Sequence, residues 1–296
     1  MSAAPTPRVV LVDGIPMSGL LADVPKPAAV VVAVHGGATT GAYFDCPDHP
    51  RLSLLRTGAA LGFTVVALDR PGFGSSALYS TEFDDTPRRI DMAFGAVDAI
   101  LGERDRGAGI FLLAHSNGSE LVLRMAAHPR GCDLLGIEIS GTGVRQQEAA
   151  WAVLDGASRA NLPTGLRQLL WEPSHLYPDG VAGSVRIKSG PVAPGYESAL
   201  VSHWRQDFPT LAAQVNVPVR VTLAEHERVW ETGPAALAEV GALFTAAPRV
   251  VLHEQAGAGH NLSLGHTATA YHLSALSFVE ECAFTNSTTQ FTVEAS

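Results

Sequence analysis

The sequence predicts an α/β fold in which a mostly parallel sheet carries helices on both faces. Short runs of β-branched residues, such as AAVVVAV at 28–34, alternate along the chain with segments of helical periodicity. These runs are apolar without a polar–apolar alternation, which is typical of strands buried on both faces. The longest of them is too short to span a membrane and fits a buried strand.

The elements of the first half each follow from a local pattern. Segments 8–12 and 17–24 flank the turn signal Asp13-Gly14, so we expect a hairpin. Pro87 lies near the start of a helical pattern, where its missing N–H costs little. The predicted strands are 8–12, 17–24, 28–34, 64–69, 109–115 and 134–140, and the predicted helices are 51–62, 87–102 and 117–128.

The regular alternation stops at about residue 144 and resumes after residue 214. The intervening segment is rich in Gly, Pro and aromatic residues, and we expect it to form a lid over the carboxyl edge of the sheet, where α/β sheets bind ligands. Strands are then predicted at 217–224 and 249–254, and helices at 234–246 and 265–282. The predicted organisation is a core of residues 1–143 and 215–284, a lid of residues 144–214 and a polar tail of residues 285–296.

Composition and charge exclude several classes of protein. The chain has 296 residues, 46% hydrophobic and 17% charged, which excludes a disordered chain. A net charge of -9 without a local Lys/Arg cluster argues against nucleic-acid and anionic-membrane partners. The chain has three cysteines, Cys46, Cys132 and Cys282. Their odd number and wide spacing predict reduced thiols rather than disulfides or a zinc site. The N-terminus MSAAPTPR lacks a signal-peptide pattern, so we expect a cytoplasmic protein.

One five-residue motif, Ala114-His115-Ser116-Asn117-Gly118, lies between a predicted strand and a predicted helix. Small residues two positions before and after Ser116 would let the strand and the helix pass closely. The serine oxygen would then project from a strained turn, beside a helix N-terminus that favours negative charge. Taken alone, the motif is equally compatible with an ordinary helix N-terminus capped by Ser116.

With this motif the chain resembles the α/β-hydrolase superfamily over about residues 8–284. Three further segments appear in the family's order: His35-Gly36-Gly37-Ala38 after the third strand, Asp69–Ser76 after the fourth, and Gly257-Ala258-Gly259-His260-Asn261 near the C-terminus. The motif departs from the family's usual form at Ala114, where glycine is commoner. The resemblance implies a twisted, eight-stranded sheet and a nucleophile, acid and histidine in that chain order.

A serine hydroxyl is a poor nucleophile unless a base removes its proton, and the base needs an acid to orient it. The resemblance implies His260 as the base, because it follows a strand in a Gly-rich loop. The family's acid usually follows the seventh strand, which implies Glu227, with Glu225 as the alternative. The resemblance also implies an oxyanion hole made by the backbone N–H groups of Gly37 and Asn117, although a plain glycine turn would look the same.

The lid contains three tryptophans that are candidates to line an apolar substrate cleft, Trp151, Trp171 and Trp204. Each of them is equally compatible with a structural role that holds the lid together. We therefore predict hydrolysis of a carboxylic ester, or thioester, of a mid-sized apolar substrate through an acyl-Ser116 intermediate. We expect no cofactor and no metal ion.

Four alternatives stay open at this point. They are hydrolysis of a C–C bond on the same fold, the chemistry of haloperoxidase-like members that keep Ser, noncovalent acid–base chemistry by Glu227 and His260, and a non-catalytic ligand-binding module. Ser116 argues against relatives such as haloalkane dehalogenases and epoxide hydrolases, which carry Asp at the nucleophile position. The sequence leaves the oligomeric state open, a homodimer included.

Overall fold

The computed structural model describes residues 4–46, 48–154, 164–189 and 194–294. Within these residues eight strands form one sheet: β1 Thr6–Val12, β2 Ile15–Ala22, β3 Val30–Val34, β4 Thr64–Leu68, β5 Ile110–His115, β6 Leu134–Ser140, β7 Val219–His226 and β8 Val250–Gly259. Their order is β1-β2-β4-β3-β5-β6-β7-β8. Only β2 runs against its neighbours, β1 and β4, and every other pair is parallel. The prediction of a mostly parallel, eight-stranded sheet is confirmed.

The first two strands form the predicted hairpin. Asp13 and Gly14 make the two-residue turn with φ values of 50° and 78°, and Val12 pairs with Ile15 across it. Two positive φ values suit a turn whose twist matches that of the flanking strands. Asp and Gly tolerate these values better than other residues, which is why this dipeptide predicts the hairpin.

Helices cover both faces of the sheet. In the described residues they are α1 Leu54–Ala60, α2 Thr86–Leu101, α3 Gly118–Ala127, α4 Glu148–Leu154, α5 Leu166–Trp171, α6 Gly195–Ala212, α7 Pro234–Gly241 and α8 Ala268–Glu294. Because side chains alternate along a strand, β3 contributes to two cores. Val30, Val32 and Val34 belong to the core to which α2, α3, α6 and α7 contribute, whereas Val31 and Ala33 belong to the core to which α1 and α8 contribute.

The last strands and the last helix are longer than the sequence predicts. β7 continues to His226 and β8 to Gly259, so each strand ends immediately before a candidate catalytic residue. The final helix continues to Glu294 instead of ending at residue 282, and so runs into the predicted polar tail. That segment, TNSTTQFTVEAS, contains no Gly or Pro that would end a helix.

The segment predicted to form a lid, residues 144–214 and called the lid below, lies between β6 and β7, and its described residues include α4, α5 and α6. Sequence periodicity predicts no helix here, because α6 has a mixed polar surface and Pro209 in its last turn. Residues 155–163 and 190–193, which the predicted lid includes, lie outside the described residues. In the part of the chain that the structure describes, no helix has the length and hydropathy that crossing a membrane requires.

Candidate active site

Ser116 occupies a sharp turn between β5, which ends at His115, and α3, which begins at Gly118. Its φ of 50° lies in the left-handed region that residues with a Cβ rarely adopt. The Ser116 N–H donates to the Ser140 carbonyl over 2.8 Å. A Cβ on Gly118 would lie 2.5 Å from the Val34 carbonyl oxygen, so glycine lets α3 begin this close to β3. The strained turn presents a half-buried serine hydroxyl at the carboxyl end of the sheet.

His260 follows β8 directly and is buried beside this turn. Its Nε2 lies 3.3 Å from Ser116 Oγ, and its Nδ1 lies 3.0 Å and 2.9 Å from the two carboxylate oxygens of Glu227. An ionised carboxylate only accepts hydrogen bonds, so the proton of a neutral His260 belongs on Nδ1. Nε2 is then free to accept the hydroxyl proton of Ser116.

Glu227 follows β7 and is buried, and its Oε1 accepts hydrogen bonds of 2.9 Å from the backbone N–H groups of Arg228 and Val229. Burial by itself raises the pKa of Glu227, but the neighbouring His260 and these hydrogen bonds outweigh it, and the pKa lies below its usual value. Glu227 is therefore ionised at neutral pH. Glu225, the alternative acid, is exposed and accepts a backbone N–H at 2.8 Å from the segment that precedes His260.

The loop after β3 brings Gly36 and Gly37 against the Ser116 turn. A Cβ on Gly36 would lie 3.1 Å from Ser116 Cβ, and one on Gly37 would lie 3.0 Å from Asn117 Nδ2. Both contacts are tighter than a side chain normally tolerates, so two glycines let this backbone approach the serine. Asn117 is the N-cap of α3, and its N–H belongs to the positive end of that helix.

Two residues that the sequence analysis did not single out, Arg70 and Glu197, lie beside the same loop. Arg70 Nη1 donates to Glu197 Oε1 over 2.6 Å, and Arg70 Nη2 donates to the Gly36 carbonyl over 2.9 Å. Glu197 Oε2 accepts a hydrogen bond of 3.0 Å from Asn117 Nδ2. Arg70 belongs to the motif Asp69–Ser76 after β4, so the sequence already marked its position. Glu197 is one of many acidic residues in a segment without a motif, and no signal marks it.

The lid also contacts the loops that carry Glu227 and His260. Gln147 Nε2 donates to the Glu227 carbonyl over 2.6 Å. On the other side, Asn261 Nδ2 donates to the Leu170 carbonyl over 2.8 Å, and the Asn261 N–H donates to Tyr177 Oη over 3.2 Å. Polar side chains of the lid and of the His260 loop therefore fix the backbone on both sides of the His260–Glu227 pair.

His115 precedes the serine, yet its ring turns away and stacks on Tyr43, with the ring centres 4.7 Å apart. The ring of His260 is 5.0 Å away. Burial, together with the proximity of His260, keeps the pKa of His115 well below its usual value, so this ring is neutral. In the described residues no three His, Cys, Asp or Glu side chains are arranged to hold a metal ion.

The three tryptophans singled out in the lid occupy different environments. Trp204 is 4% exposed, belongs to the main core and donates from Nε1 to the Gly143 carbonyl over 3.2 Å. Trp171 is half-buried and makes an edge contact with Tyr177, which in turn touches the His260 loop. Trp151 is 48% exposed. Trp171 is thus connected to the candidate catalytic residues through one side chain.

A cavity of about 340 Å³ lies between α2, α3 and α6. Its lining includes the ion pairs Arg89–Glu120 at 2.7 Å and Arg124–Asp207 at 3.2 Å, together with Trp204. Neither Ser116 nor His260 contributes to it. Trp204 therefore lines a cavity that is separate from the candidate active site.

A sequence profile of the alpha/beta hydrolase family matches residues 31–271, a range that contains Ser116, Glu227 and His260. The chain belongs to the alpha/beta hydrolase family. The family resemblance predicted from the motifs is thereby confirmed. No curated protein sequence is similar enough to this alpha/beta hydrolase to count as a relative.

Solved structures of several hydrolases share the fold of this alpha/beta hydrolase. An N-acyl homoserine lactonase has a TM-score of 0.65 at 16% identity, with 94% of this chain and 98% of that chain covered. The thioesterase domain from the curacin biosynthetic pathway has a TM-score of 0.62 at 17% identity, covering 93% and 100%. A laboratory-evolved variant of a potato epoxide hydrolase has a TM-score of 0.63 at 16% identity, covering 94% and 100%. At these identities the likeness shows the fold alone.

Proposed function

We propose that this alpha/beta hydrolase is a serine hydrolase that cleaves a carboxylic ester or thioester through an acyl-Ser116 intermediate. The observation that carries the proposal is the hydrogen-bonded chain from Ser116 Oγ to His260 Nε2 and from His260 Nδ1 to the Glu227 carboxylate. A serine in a strained turn, a histidine with one free ring nitrogen and a buried carboxylate are the three parts that nucleophilic acyl transfer requires.

In the acylation step, Ser116 Oγ attacks the carbonyl carbon of the substrate while His260 Nε2 takes the hydroxyl proton. The carbonyl oxygen becomes an oxyanion, which the N–H groups of Gly37 and Asn117 would stabilise by about 3 kcal/mol each. The tetrahedral intermediate then collapses, and the bond from carbon to the leaving oxygen or sulfur breaks. His260 returns the proton to the leaving group, which departs as an alcohol or a thiol.

In the deacylation step, water attacks the acyl-Ser116 carbonyl carbon and gives one proton to His260 Nε2. The bond between the carbonyl carbon and Ser116 Oγ breaks, Oγ recovers the proton, and the carboxylic acid leaves. Glu227 stays ionised throughout, because its two backbone hydrogen bonds and the imidazolium both favour the charged form.

We infer a mid-sized apolar substrate from the aromatic composition of the lid. Of the three tryptophans, Trp171 supports this inference best, since its contact with Tyr177 connects it to the His260 loop. Trp151 has the exposure that a ligand-contacting side chain needs in the free protein. The buried position of Trp204 favours packing of the lid onto the core as its main contribution.

The test is covalent labelling with a small fluorophosphonate, read by intact mass and by peptide mapping. We expect one adduct on Ser116 of the wild-type protein and none on Ser116→Ala or His260→Ala. Ser119→Ala is the matched control, because Ser119 is a buried serine on the next turn whose hydroxyl has no hydrogen-bond partner. It should label like the wild type.

Folded wild-type protein that takes up no adduct would overturn the covalent mechanism. Ester hydrolysis that persists in Ser116→Ala would do the same, since noncovalent acid–base chemistry would then suffice. For a labelled protein, turnover of matched oxygen and sulfur esters with one apolar acyl group would decide between an esterase and a thioesterase.

A further inference from the structure

A buried ion pair connects the lid to residues 35–38, the loop after β3, which is called the glycine loop below and contains the Gly37 half of the proposed oxyanion hole. Arg70 and Glu197 are 1% and 8% exposed, and their contact of 2.6 Å joins the turn after β4 to the first turn of α6. A buried charged pair needs further hydrogen bonds to offset its desolvation. Here those bonds go to Gly36 and Asn117, on either side of the pair.

The bond to Gly36 bears on the predicted oxyanion donor directly. The Gly36 carbonyl and the Gly37 N–H belong to one planar peptide group, in which C=O and N–H point in opposite directions. Because Arg70 Nη2 donates to the Gly36 oxygen over 2.9 Å, it helps to fix the direction of the Gly37 N–H. The peptide joins two glycines, the residues that flip most freely, so such an anchor matters more here than elsewhere.

His35 supports the same carbonyl and the same arginine. Its Nε2 accepts the Arg70 N–H at 3.0 Å, so its Nδ1 carries the proton and donates to the Gly36 oxygen at 2.8 Å. The Gly36 carbonyl therefore has three donors, since Thr39 Oγ1 also donates to it over 3.3 Å, and Arg70 supplies the charged one. A hydrogen bond from a charged donor is roughly twice as strong as one between neutral groups.

Glu197 also contacts the side chain of Asn117, whose backbone N–H is the second predicted donor. Its Oε2 accepts from Asn117 Nδ2 at 3.0 Å and would lie 3.2 Å from a Cβ on Gly37, so it touches both segments. A lone carboxylate here would oppose an oxyanion. Its ion pair with Arg70 neutralises the charge and leaves a rigid bridge.

The start of α6 is itself anchored on the core. Tyr196 Oη donates to the Pro71 carbonyl over 2.7 Å, one residue beyond Arg70. Pro194 packs closely enough against Gly72 that a Cβ there would lie 2.6 Å from its ring. Glu197 is therefore held where it meets Arg70, and its position depends on the docking of the lid.

We propose that Glu197 is a positioning residue of the oxyanion hole, which the lid supplies to the core. Through Arg70 it orients the Gly36–Gly37 peptide, and through a direct hydrogen bond it holds Asn117. The inference rests on the proposed serine hydrolase function. It follows that the oxyanion hole is complete only when the first turn of α6 is docked.

The experiment compares steady-state hydrolysis of p-nitrophenyl butyrate by the wild type, Glu197→Ala and Glu197→Gln. Asp207→Asn is the matched control: Asp207 pairs with Arg124 from the same lid helix at 3.2 Å, but away from the glycine loop. Near-ultraviolet circular dichroism and thermal melting establish that each variant is folded. The pH profile of kcat/KM is measured for every variant.

We expect Glu197→Ala to lower kcat about 10- to 100-fold, less than the loss of an oxyanion donor outright, with KM within about 3-fold. Glu197→Gln, which keeps an oxygen for Arg70, should fall between Glu197→Ala and the wild type. The midpoint of the acid limb should not move, because the His260–Glu227 pair is untouched. Asp207→Asn should stay within about 2-fold of the wild-type kcat, as expected for a half-exposed ion pair.

The inference is overturned by a folded Glu197→Ala with kcat within 2-fold of the wild type, or by a loss in KM alone. An equal loss in Asp207→Asn would also overturn it, because Glu197 would then only hold the lid. If the wild type neither hydrolyses the ester nor takes up fluorophosphonate, the proposed function fails and this inference fails with it. A reactive wild type with an unaffected Glu197→Ala would overturn this inference alone.

Discussion

The sheet and the lid are built on different kinds of interaction. Every residue of β3, β4 and β6 is buried, and these strands are continuous runs of apolar residues with few exceptions. The lid, residues 144–214, is attached to the core in part by individual polar side chains, among them Gln147, Tyr177 and Glu197. Apolar periodicity is visible in a sequence, whereas single polar contacts between distant residues are not.

The sheet and the lid also contribute different parts of the candidate site. The elements of the sheet supply Ser116, Glu227 and His260 at the ends of β5, β7 and β8. The lid supplies contacts to the loops around them: to the Glu227 carbonyl, to the His260 loop and to the glycine loop. The core thus presents the candidate catalytic groups, and the lid contacts the backbone that holds them.

We expect the largest change in kcat from the carboxylates that follow β7, because Glu227 is buried and Glu225 is exposed. Glu227→Gln should lower kcat about 10³- to 10⁴-fold, because an amide cannot stabilise the imidazolium or keep the His260 proton on Nδ1. Glu225→Gln should stay within about 2-fold of the wild type, since Glu225 is exposed and its bond goes to a backbone N–H. Steady-state ester hydrolysis measures both. A larger loss for Glu225→Gln would assign the acid to Glu225 instead.

The next effect tests whether lid aromatics stabilise the fold. Trp204→Ala should lower the free energy of unfolding by about 3–5 kcal/mol, because it empties a buried site and removes the donor to the Gly143 carbonyl. Trp151→Ala, with its half-exposed side chain, should change stability by less than about 0.5 kcal/mol. Urea unfolding compares the two. A similar loss of unfolding free energy in both variants would contradict the burial of Trp204 and the exposure of Trp151.

The smallest effect concerns the contact between the lid and the His260 loop. Tyr177→Phe removes the acceptor of the Asn261 N–H and should lower the free energy of unfolding by about 1–2 kcal/mol. Loss of this restraint should lower kcat about 3- to 10-fold, since misplacement of His260 slows proton transfer. Urea unfolding and ester hydrolysis are measured on the same preparation. An unchanged kcat with reduced stability would limit Tyr177 to the packing of the lid.

Most of the sheet could be predicted because the local sequence pattern of each strand indicates it. The Asp13-Gly14 turn requires two positive φ values that few dipeptides tolerate. The apolar run at 28–34 is typical of a strand that is buried on both faces. The helices of the lid could not be predicted in the same way. The segment of α6 contains Pro209 and a mixed surface, and its burial against the core depends on partners far away in sequence.

The candidate site likewise has a part that the sequence indicates and a part that only the structure resolves. Ser116 could be singled out because its motif lies between a predicted strand and a predicted helix, and the family resemblance implied Glu227 and His260. The structure extends β7 and β8 up to these two residues, and parallel strands carry them to the same edge as Ser116. Sequence could not rank Glu227 over Glu225 without the family's spacing. The structure separates the two carboxylates through their burial, their backbone hydrogen bonds and the distance of 2.9 Å from Glu227 to His260.

Patterns within a few residues predict the α/β architecture, the hairpin and the serine turn, and the order of the motifs along the chain predicts the family. The folded chain was needed to show that Trp204 is buried, that the last helix continues to Glu294, and that Glu197 meets Arg70 across 127 positions of chain. These features depend on contacts between residues that are distant in sequence. The packing of α6 against the core places Glu197, rather than another acidic residue of the lid, beside the buried Arg70.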